Sequence, residues 1–393
     1  MTMQTRIMMI FALQPLALGC WLPQIPDVQL RLGMGPAALS LALLGFPAGL
    51  LCALPFGGRI AAALGARRLI LFGLPAYLAL MPLPALALSG IVLFAALGLA
   101  GASIALLELG LNLTADEIEK SGGRGIMSAC HGFWSVGIMA GSLAGAGLAM
   151  QAIPSFTAVA LAALFTLPAG VFLARGLPCD VARPQATPTG AAGAGWLPGK
   201  ALLGISLFIL GITMTEGAVA DWSGIFLRDE FGLASGATGL GYAAFAAMVA
   251  AGRFTGDGMK ARLGAVTSAR LCGGLALAGL AIVLASQNAG AAIAGFALTG
   301  IGVSVGFPLA VTAAAGLTDR PAASSVAILT FIALLGFLAG PPAIGFAAEY
   351  AGIRTGLAML LPGLAASFFL AGALGGRDAT QTELIKSGAP EHV

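Results

Sequence analysis

Charged side chains are scarce in this sequence. Only 9% of its 393 residues are Asp, Glu, Lys or Arg, whereas a soluble domain carries about 25%. A chain with so little charge cannot cover its surface in water as a monomer, so an ordinary soluble domain is excluded and a lipid environment is indicated. The formal net charge of +3 is dispersed among loops and gives no support to a nucleic-acid partner.

Motifs for metals, nucleotides and disulfides are also missing. None of the five cysteines forms a C-x-x-C pair, and all but one lie in apolar stretches, so free buried thiols are expected instead of a disulfide framework or a zinc site. The sequence has no Walker A motif, no H-E-x-x-H and no dinucleotide fingerprint. We therefore expect no enzyme, no cofactor and no metal site, and an ATP-driven pump has no support.

Hydrophobic residues, by contrast, make up 59% of the chain, and the mean hydropathy is +0.97. Each apolar stretch is close to the ~20 residues that a helix needs to cross ~30 Å of hydrocarbon, and the stretches are too long for barrel strands. The sequence predicts an all-α membrane protein with twelve transmembrane helices. The predicted spans are 5–24, 38–58, 68–88, 91–113, 125–149, 153–174, 201–226, 237–257, 266–286, 289–315, 322–347 and 353–374.

The basic residues predict the orientation. With twelve spans, sixteen of the 19 Lys and Arg fall on the side of both termini, and only Arg31, Arg228 and Arg354 fall on the other side. Because positive residues remain in the cytoplasm, both termini are expected there, in a bacterial inner membrane. The apolar run before Cys20 loosely resembles a lipoprotein signal, but residues 5–24 are interpreted as the first span.

The chain divides into two repeated halves. Residues 176–199 are rich in Pro, Thr, Ala and Gly and predict a cytoplasmic linker between an N-terminal half, 1–175, and a C-terminal half, 200–375, before a polar tail, 376–393. An offset of 199 residues relates the halves. It places Gly33 on Gly232, Phe46 on Phe245, Gly65 on Gly264 and Gly101 on Gly300. Two six-helix halves with a pseudo-two-fold axis along the membrane normal predict a central site between them.

Two carboxylates lie deep within predicted spans. A charge at that depth is costly and by default indicates a proton, ion or substrate path. Glu108 is placed roughly 9 Å to the cytoplasmic side of the midplane by helix rise, and Glu216 lies near the middle of its span. Because burial favours the neutral acid, each can take up a proton. A purely structural acid, hydrogen-bonded to a neighbouring helix, remains the alternative for Glu108.

The loop after the second span reads GGRIAAALGARR, residues 57–68, and resembles the major facilitator signature. Its end glycines and Arg67 match, but Ala62 and Ala63 replace the usual Asp and Arg. Asp257 and Arg262 in the second half partly restore that charge pattern. We expect a cytoplasmic gate at Arg67, Arg68, Asp257 and Arg262, with plain positive-inside anchoring as the alternative.

Four segments resemble a narrower group, the fucose permease-like sugar/proton symporters of bacterial inner membranes. They are the E-x-x-x-N pattern of Glu108 and Asn112 and the stretches 127–137, 215–223 and 340–345. The resemblance implies that Glu108 couples transport to protons. Members of that group also carry an Asp in the first span, where this chain has only Gln14 and Asp27 is predicted to lie past the end. Glu216 is therefore the candidate second carboxylate.

Polar and aromatic residues in the predicted spans are candidates for solute binding. An aromatic face suits the apolar face of a sugar. Packing is an equal interpretation for His131, and the interfacial belt is an equal one for Trp222. For Asp221, a cap or an ion pair with Arg228 or another loop residue at the outer surface is favoured over gating. His131 lies at a depth similar to Glu108, so we also expect the two to pair, and His131→Ala to shift the pH profile of transport to the alkaline side. The candidates are Gln14, Asn112, His131, Trp134, Asp221, Trp222, Tyr242 and Thr299.

These observations predict a secondary active transporter that moves a small polar solute, a sugar or a related metabolite, by alternating access. Protons and membrane lipid are the other expected partners, and a monomer is expected. One alternative is a proton-driven exporter of drugs or metabolites, which a wide apolar cavity would favour over a cavity lined by amides and hydroxyls. The other is a receptor or scaffold on the same fold that transports nothing.

Overall fold

The computed structural model describes residues 1–122, 125–178 and 198–375, and in these ranges the chain is a bundle of helices. The predicted linker lies outside the described residues except at its two ends, and the predicted tail, 376–393, lies outside them entirely. The helix before the linker ends at Arg175, and the helix after it begins at Lys200.

The predicted class and the twelve spans are confirmed. The last apolar stretch, Ser324–Gly375, turns at Gly352, whose φ of 82° interrupts the helix and separates spans 11 and 12. Spans 1 to 10, in chain order, are Met3–Leu32, Pro36–Leu64, Ala66–Leu86, Gly90–Gly122, Met127–Met150, Ser155–Arg175, Lys200–Phe231, Leu240–Leu263, Ala265–Ala285 and Ala289–Ala315.

Span 1 is longer than predicted and consists of several pieces. Its helix stops at Leu13 and resumes at Leu16, because Pro15 has no N–H to donate. Further along, Pro23 and Pro26 each stand in the first turn of a new helical segment, where a missing N–H costs nothing, so the span continues to Leu32. Asp27 therefore lies within span 1. The prediction that it lies past the end of that span is wrong.

The repeat of the two halves is visible in the backbone. Gly33 and Gly232 end spans 1 and 7 with φ of 62° and 65°, and Gly65 and Gly264 follow spans 2 and 8 with φ of 80° and 77°. These are left-handed conformations that favour glycine. The contact of Gly101 with the Phe46 carbonyl oxygen likewise recurs between Gly300 and Phe245. The residue pairs aligned by sequence are thus equivalent in space.

We call the side of the bundle that holds both ends of the described chain the terminal side, and the opposite side the distal side. The three arginines predicted on the distal side each bind backbone carbonyls there. Arg31 donates to Ala85 and Ala87, and Arg354 binds Glu230 and the Leu284 carbonyl. These contacts explain why three arginines remain on the distal side, which has few positive residues.

The distal side also joins the two halves. Arg228 of span 7 donates to the Pro26 carbonyl at 2.9 Å and to Gln29 Oε1 at 2.8 Å. Nearby, Ser235 donates to Asp27 at 2.5 Å, and Glu349 accepts from the Ala37 N–H at 3.1 Å. On the terminal side, four polar residues of spans 5 and 8 are exposed, namely Ser128, His131, Thr255 and Asp257. The bundle is therefore closed on the distal side and open on the terminal side.

Arg228→Ala is expected to open the distal side. The variant loses two hydrogen bonds of a charged donor that join the halves, each worth about 1.5–3 kcal/mol. Ala220 of span 7 lines a cavity between the two halves. A cysteine in its place should then react about tenfold faster or more with an impermeant thiol reagent applied from the distal side. Gln151→Ala is the control, because Gln151 donates only within its own helix. An unchanged rate in Arg228→Ala would contradict the closing role.

Candidate functional site

A cavity of about 320 Å³ lies between the two halves at mid-depth. Most of its wall is apolar and comes from spans 1, 2, 4, 5, 7, 8 and 11, including Leu18, Trp21, Phe46 and Phe337. The polar part of the wall is concentrated on spans 4, 5, 7 and 8. It consists of Glu108, Trp134, Ser135, Glu216, Asp221, Tyr242 and Arg253.

The cavity brings together three carboxyl side chains. Glu108 comes from the unbroken helix of span 4, and Glu216 and Asp221 come from the unbroken helix of span 7. Glu216 and Asp221 both interact electrostatically with the phenol of Tyr242 on span 8. Carboxyl groups in a mostly apolar wall are suited to binding protons or cations.

Glu108 has an aromatic environment. The indole of Trp134 and the buried phenol of Tyr77 lie beside its carboxyl group. The Trp134 Nε1–H and the Tyr77 hydroxyl have no hydrogen-bond partner within bonding distance among the described residues. Of the two, only Trp134 lines the cavity, where its indole lies beside the Glu108 carboxyl group, and Tyr77 is fully buried outside the lining.

Arg253 supplies the positive charge of the cavity. It lies on span 8 with its side chain 15% exposed, and its Nη2 is 3.6 Å from Oε1 of Glu216. Its Nη1 donates to Ser135 Oγ on span 5 at 2.7 Å. Among the lining residues that the structure describes, it is the one cationic side chain. Glu216 therefore has a charged partner, and neither Glu108 nor Asp221 forms an ion pair in the described part of the chain.

Only some of the predicted site residues meet at this cavity. Glu108, Glu216, Trp134, Asp221 and Tyr242 line it. The other predicted solute ligands lie away from the lining. They are Gln14 and Trp222, fully buried; Thr299, which donates to Gly295 of its own helix; Asn112, half-buried; and His131, exposed and edge-on to Phe11.

The predicted pair of Glu108 and His131 is not formed. Within the described residues no ion pair joins them, and the imidazole instead packs against the Phe11 ring at 5.6 Å between centroids. Residues 131 and 134 share one face of the span 5 helix but are about one turn apart, so His131 lies nearer the terminal side and it is Trp134 that reaches the carboxyl group.

His131→Ala is therefore expected to leave the pH profile of transport unchanged, and not to shift it to the alkaline side. The imidazole provides no ion pair that could stabilise the charged form of Glu108. Initial transport rates measured over a range of pH in reconstituted vesicles test this. An alkaline shift that disappears when Glu108 is replaced by Gln would restore the pairing in another conformation.

The predicted gate residues lie near the terminal side. Arg67 Nη2 donates to the Arg175 carbonyl at 2.5 Å, a contact within the N-terminal half. Arg68, Asp257 and Arg262 are exposed. In residues 1–122, 125–178 and 198–375, Asp257 and Arg262 form no ion pair. A gate at these four residues remains a prediction for another state of the bundle.

Two polar residues of the cavity wall, Arg253 and Ser135, are absent from the sequence-based candidates. Arg253 lies within the predicted span 237–257, so the rule that identified Glu108 and Glu216 also applied to it, but it was counted as a terminal-side charge. Ser135 gave no sequence signal, because a serine in a membrane helix commonly bonds within its own helix. Within the described ranges, no group of three or more His, Cys, Asp or Glu side chains could hold a metal ion.

Two repeated six-helix halves around a cavity with carboxyl groups at mid-depth define a secondary membrane transporter. No protein-family model matches the chain. It is 32% identical over 367 residues to an uncharacterized MFS-type transporter of Yersinia pestis, covering 91% of this chain and 92% of that protein. It is also 30% identical over 353 residues to an uncharacterized transporter of Sinorhizobium fredii, covering 88% and 90%. The chain therefore belongs to the major facilitator superfamily.

Solved structures have the same fold. The nucleoside transporter NupG matches with a TM-score of 0.74 at 14% identity, covering 95% of this chain and 99% of that one. A bacterial homologue of the human lysosomal transporter Spinster matches with a TM-score of 0.73 at 14% identity, covering 95% and 96%. The transporter FucP matches with a TM-score of 0.65 at 16% identity, covering 94% and 98%. The superfamily implied by residues 57–68 is confirmed.

Proposed function

We propose that this transporter is proton-coupled and exports a small amphipathic solute that carries a positive charge. The observation that supports it is the composition of the cavity wall. Apolar and aromatic side chains form most of the wall, and the described lining includes no Asn or Gln. An apolar cavity favours the exporter alternative over sugar uptake, since a sugar needs several fixed hydrogen-bond partners.

The charge of the solute follows from the carboxyl groups without ion pairs. Glu108 and Asp221 each attract a proton or a cation. A proton and a cation cannot occupy the same carboxylate at the same time. Competition of this kind is the basis of antiport, in which the proton enters as the solute leaves. Trp21 and Trp134 line the same cavity, and their faces suit an organic cation.

Reconstituted vesicles with an imposed pH gradient test the proposal. The probe is an aromatic quaternary ammonium compound, whose permanent charge prevents passive trapping in acidic vesicles. We expect vesicles that are acidic inside to accumulate it, and protein-free vesicles not to. Absence of accumulation under this gradient would reject cation antiport.

Sugar/proton symport is the second candidate, supported by the two tryptophan faces in the cavity. It predicts the opposite gradient dependence: L-fucose would accumulate in vesicles that are alkaline inside. Failure of both probes, and of a wider solute panel under either gradient, would favour the receptor or scaffold alternative.

Cysteine labelling tests two points together: the orientation of the protein in the membrane and the location of Glu108 in the cavity. In a background without the five native cysteines, a cysteine at position 108 is expected to react with an impermeant thiol reagent mainly from the cytoplasm. The reason is that the cavity opens on the terminal side, which the basic residues predict to be cytoplasmic. Equal labelling from both sides, or none, would place Glu108 outside the cavity.

A further inference from the structure

Arg253 joins three transmembrane helices. It belongs to span 8, its Nη2 faces Glu216 of span 7 at 3.6 Å, and its Nη1 donates to Ser135 of span 5 at 2.7 Å. Spans 7 and 8 are in the C-terminal half, whereas span 5 is in the N-terminal half. A single guanidinium thus connects a cavity carboxylate of one half with a hydroxyl of the other.

The contact lies at the edge of the closed region. Next to it, Gly132 of span 5 packs on the ring of Phe254 of span 8, and a Cβ at Gly132 would come within 2.6 Å of that ring. Further towards the terminal side, Ser128 and Thr255 are exposed. The terminal ends of spans 5 and 8 can therefore move further apart only if the contact between Arg253 and Ser135 changes.

The charges around Glu216 come from several helices. Arg253 and Tyr242 face it from span 8, and Asp221 lies further along its own helix. Glu108 lies across the cavity on span 4, and His131 of span 5 is near Arg253. Span 11 contributes Leu334, Phe337 and Pro341 to the wall, none of which titrates.

We propose that Arg253 is a positioning residue that transmits the charge of Glu216 to span 5 of the other half. With Glu216 ionised, the guanidinium has a counter-charge at mid-depth and holds Ser135. With Glu216 protonated, an uncompensated charge remains in an apolar wall, which is unfavourable. The long side chain then extends to the water on the terminal side and releases Ser135, so that spans 5 and 8 separate further there.

The inference deepens the proposed proton coupling and is tested without any solute. Spin labels at positions 128 and 261, both exposed near the terminal ends of spans 5 and 8, report the distance between those ends by pulsed electron paramagnetic resonance. We expect the wild-type distance distribution to shift to longer values as the pH falls. In Glu216→Gln and in Ser135→Ala we expect the long distances at every pH, with the ratio of the two populations changed by about tenfold or more.

Two control variants separate this role from general packing. Ser135→Thr keeps the hydroxyl, and Ser142→Ala removes a buried hydroxyl of the same helix whose Oγ has no partner in the described part of the chain. Both are expected to keep the pH response. A wild type that does not respond, a response retained in Ser135→Ala, or one lost in Glu108→Gln or His131→Ala instead of Glu216→Gln would overturn the inference. A normal response in a protein that transports no cation would reject only the proposed solute.

Discussion

Glu108→Gln abolishes proton-driven accumulation of solute and leaves solute exchange largely intact: this is the largest effect that we expect. Glutamine has nearly the shape of a protonated glutamate, so the cavity wall is preserved. It cannot bind or release a proton, which leaves the site permanently in its neutral state. Asp221 still provides a carboxyl group for the cationic solute in the same cavity, so the two halves can rock with solute bound, but a gradient no longer drives them in one direction.

Accumulation under a pH gradient and exchange of labelled for unlabelled solute without a gradient are measured on the same vesicles. Glu117→Gln is the matched control, since Glu117 lies on the same helix, more than two turns towards the terminal side and away from the cavity lining. It should keep both activities. Accumulation at the wild-type level in Glu108→Gln would show that Glu108 does not couple transport to protons.

Gly141→Val prevents stable folding, which is the second large effect. Span 5 places Gly137, Gly141 and Gly145 against the backbone of span 1, with a glycine every fourth residue. A Cβ at position 141 would overlap the Leu16 carbonyl oxygen and come within 2.9 Å of its Cα. Backbone cannot move aside as a flexible side chain can, so the helices must separate. Small residues at such contacts are what allow membrane helices to pack closely.

The yield of monodisperse protein and its thermal stability in detergent measure this effect. The loss is expected to exceed the 1–3 kcal/mol typical of overpacking. Gly147→Val is the control on the same helix, because a Cβ at Gly147 has no neighbour within 4 Å. Comparable yields for the two variants would show that the close contact of spans 1 and 5 does not determine stability.

Much of the candidate site could be predicted from isolated residues. Glu108 and Glu216 were identified because a carboxylate in an apolar stretch is costly wherever the stretch packs. Arg253 obeys the same rule and was overlooked only because it lies near the end of its predicted span. Most of the candidates without a formal charge lie outside the cavity lining. Thr299, for example, bonds to Gly295 of its own helix, which a sequence cannot distinguish from a hydroxyl that faces solute.

The sequence by itself determined the class, the twelve spans and the repeat. Span length and hydropathy are local properties set by the thickness of the bilayer, and the glycines at 33, 65, 232 and 264 mark turns that need a left-handed backbone. Only the tertiary structure decided which face of each span meets the cavity. An apolar helix in lipid is hydrophobic on every side, so its rotation is set by its neighbours. That is why Trp134 lines the cavity while Trp222 is buried, and why Arg253 reaches both halves.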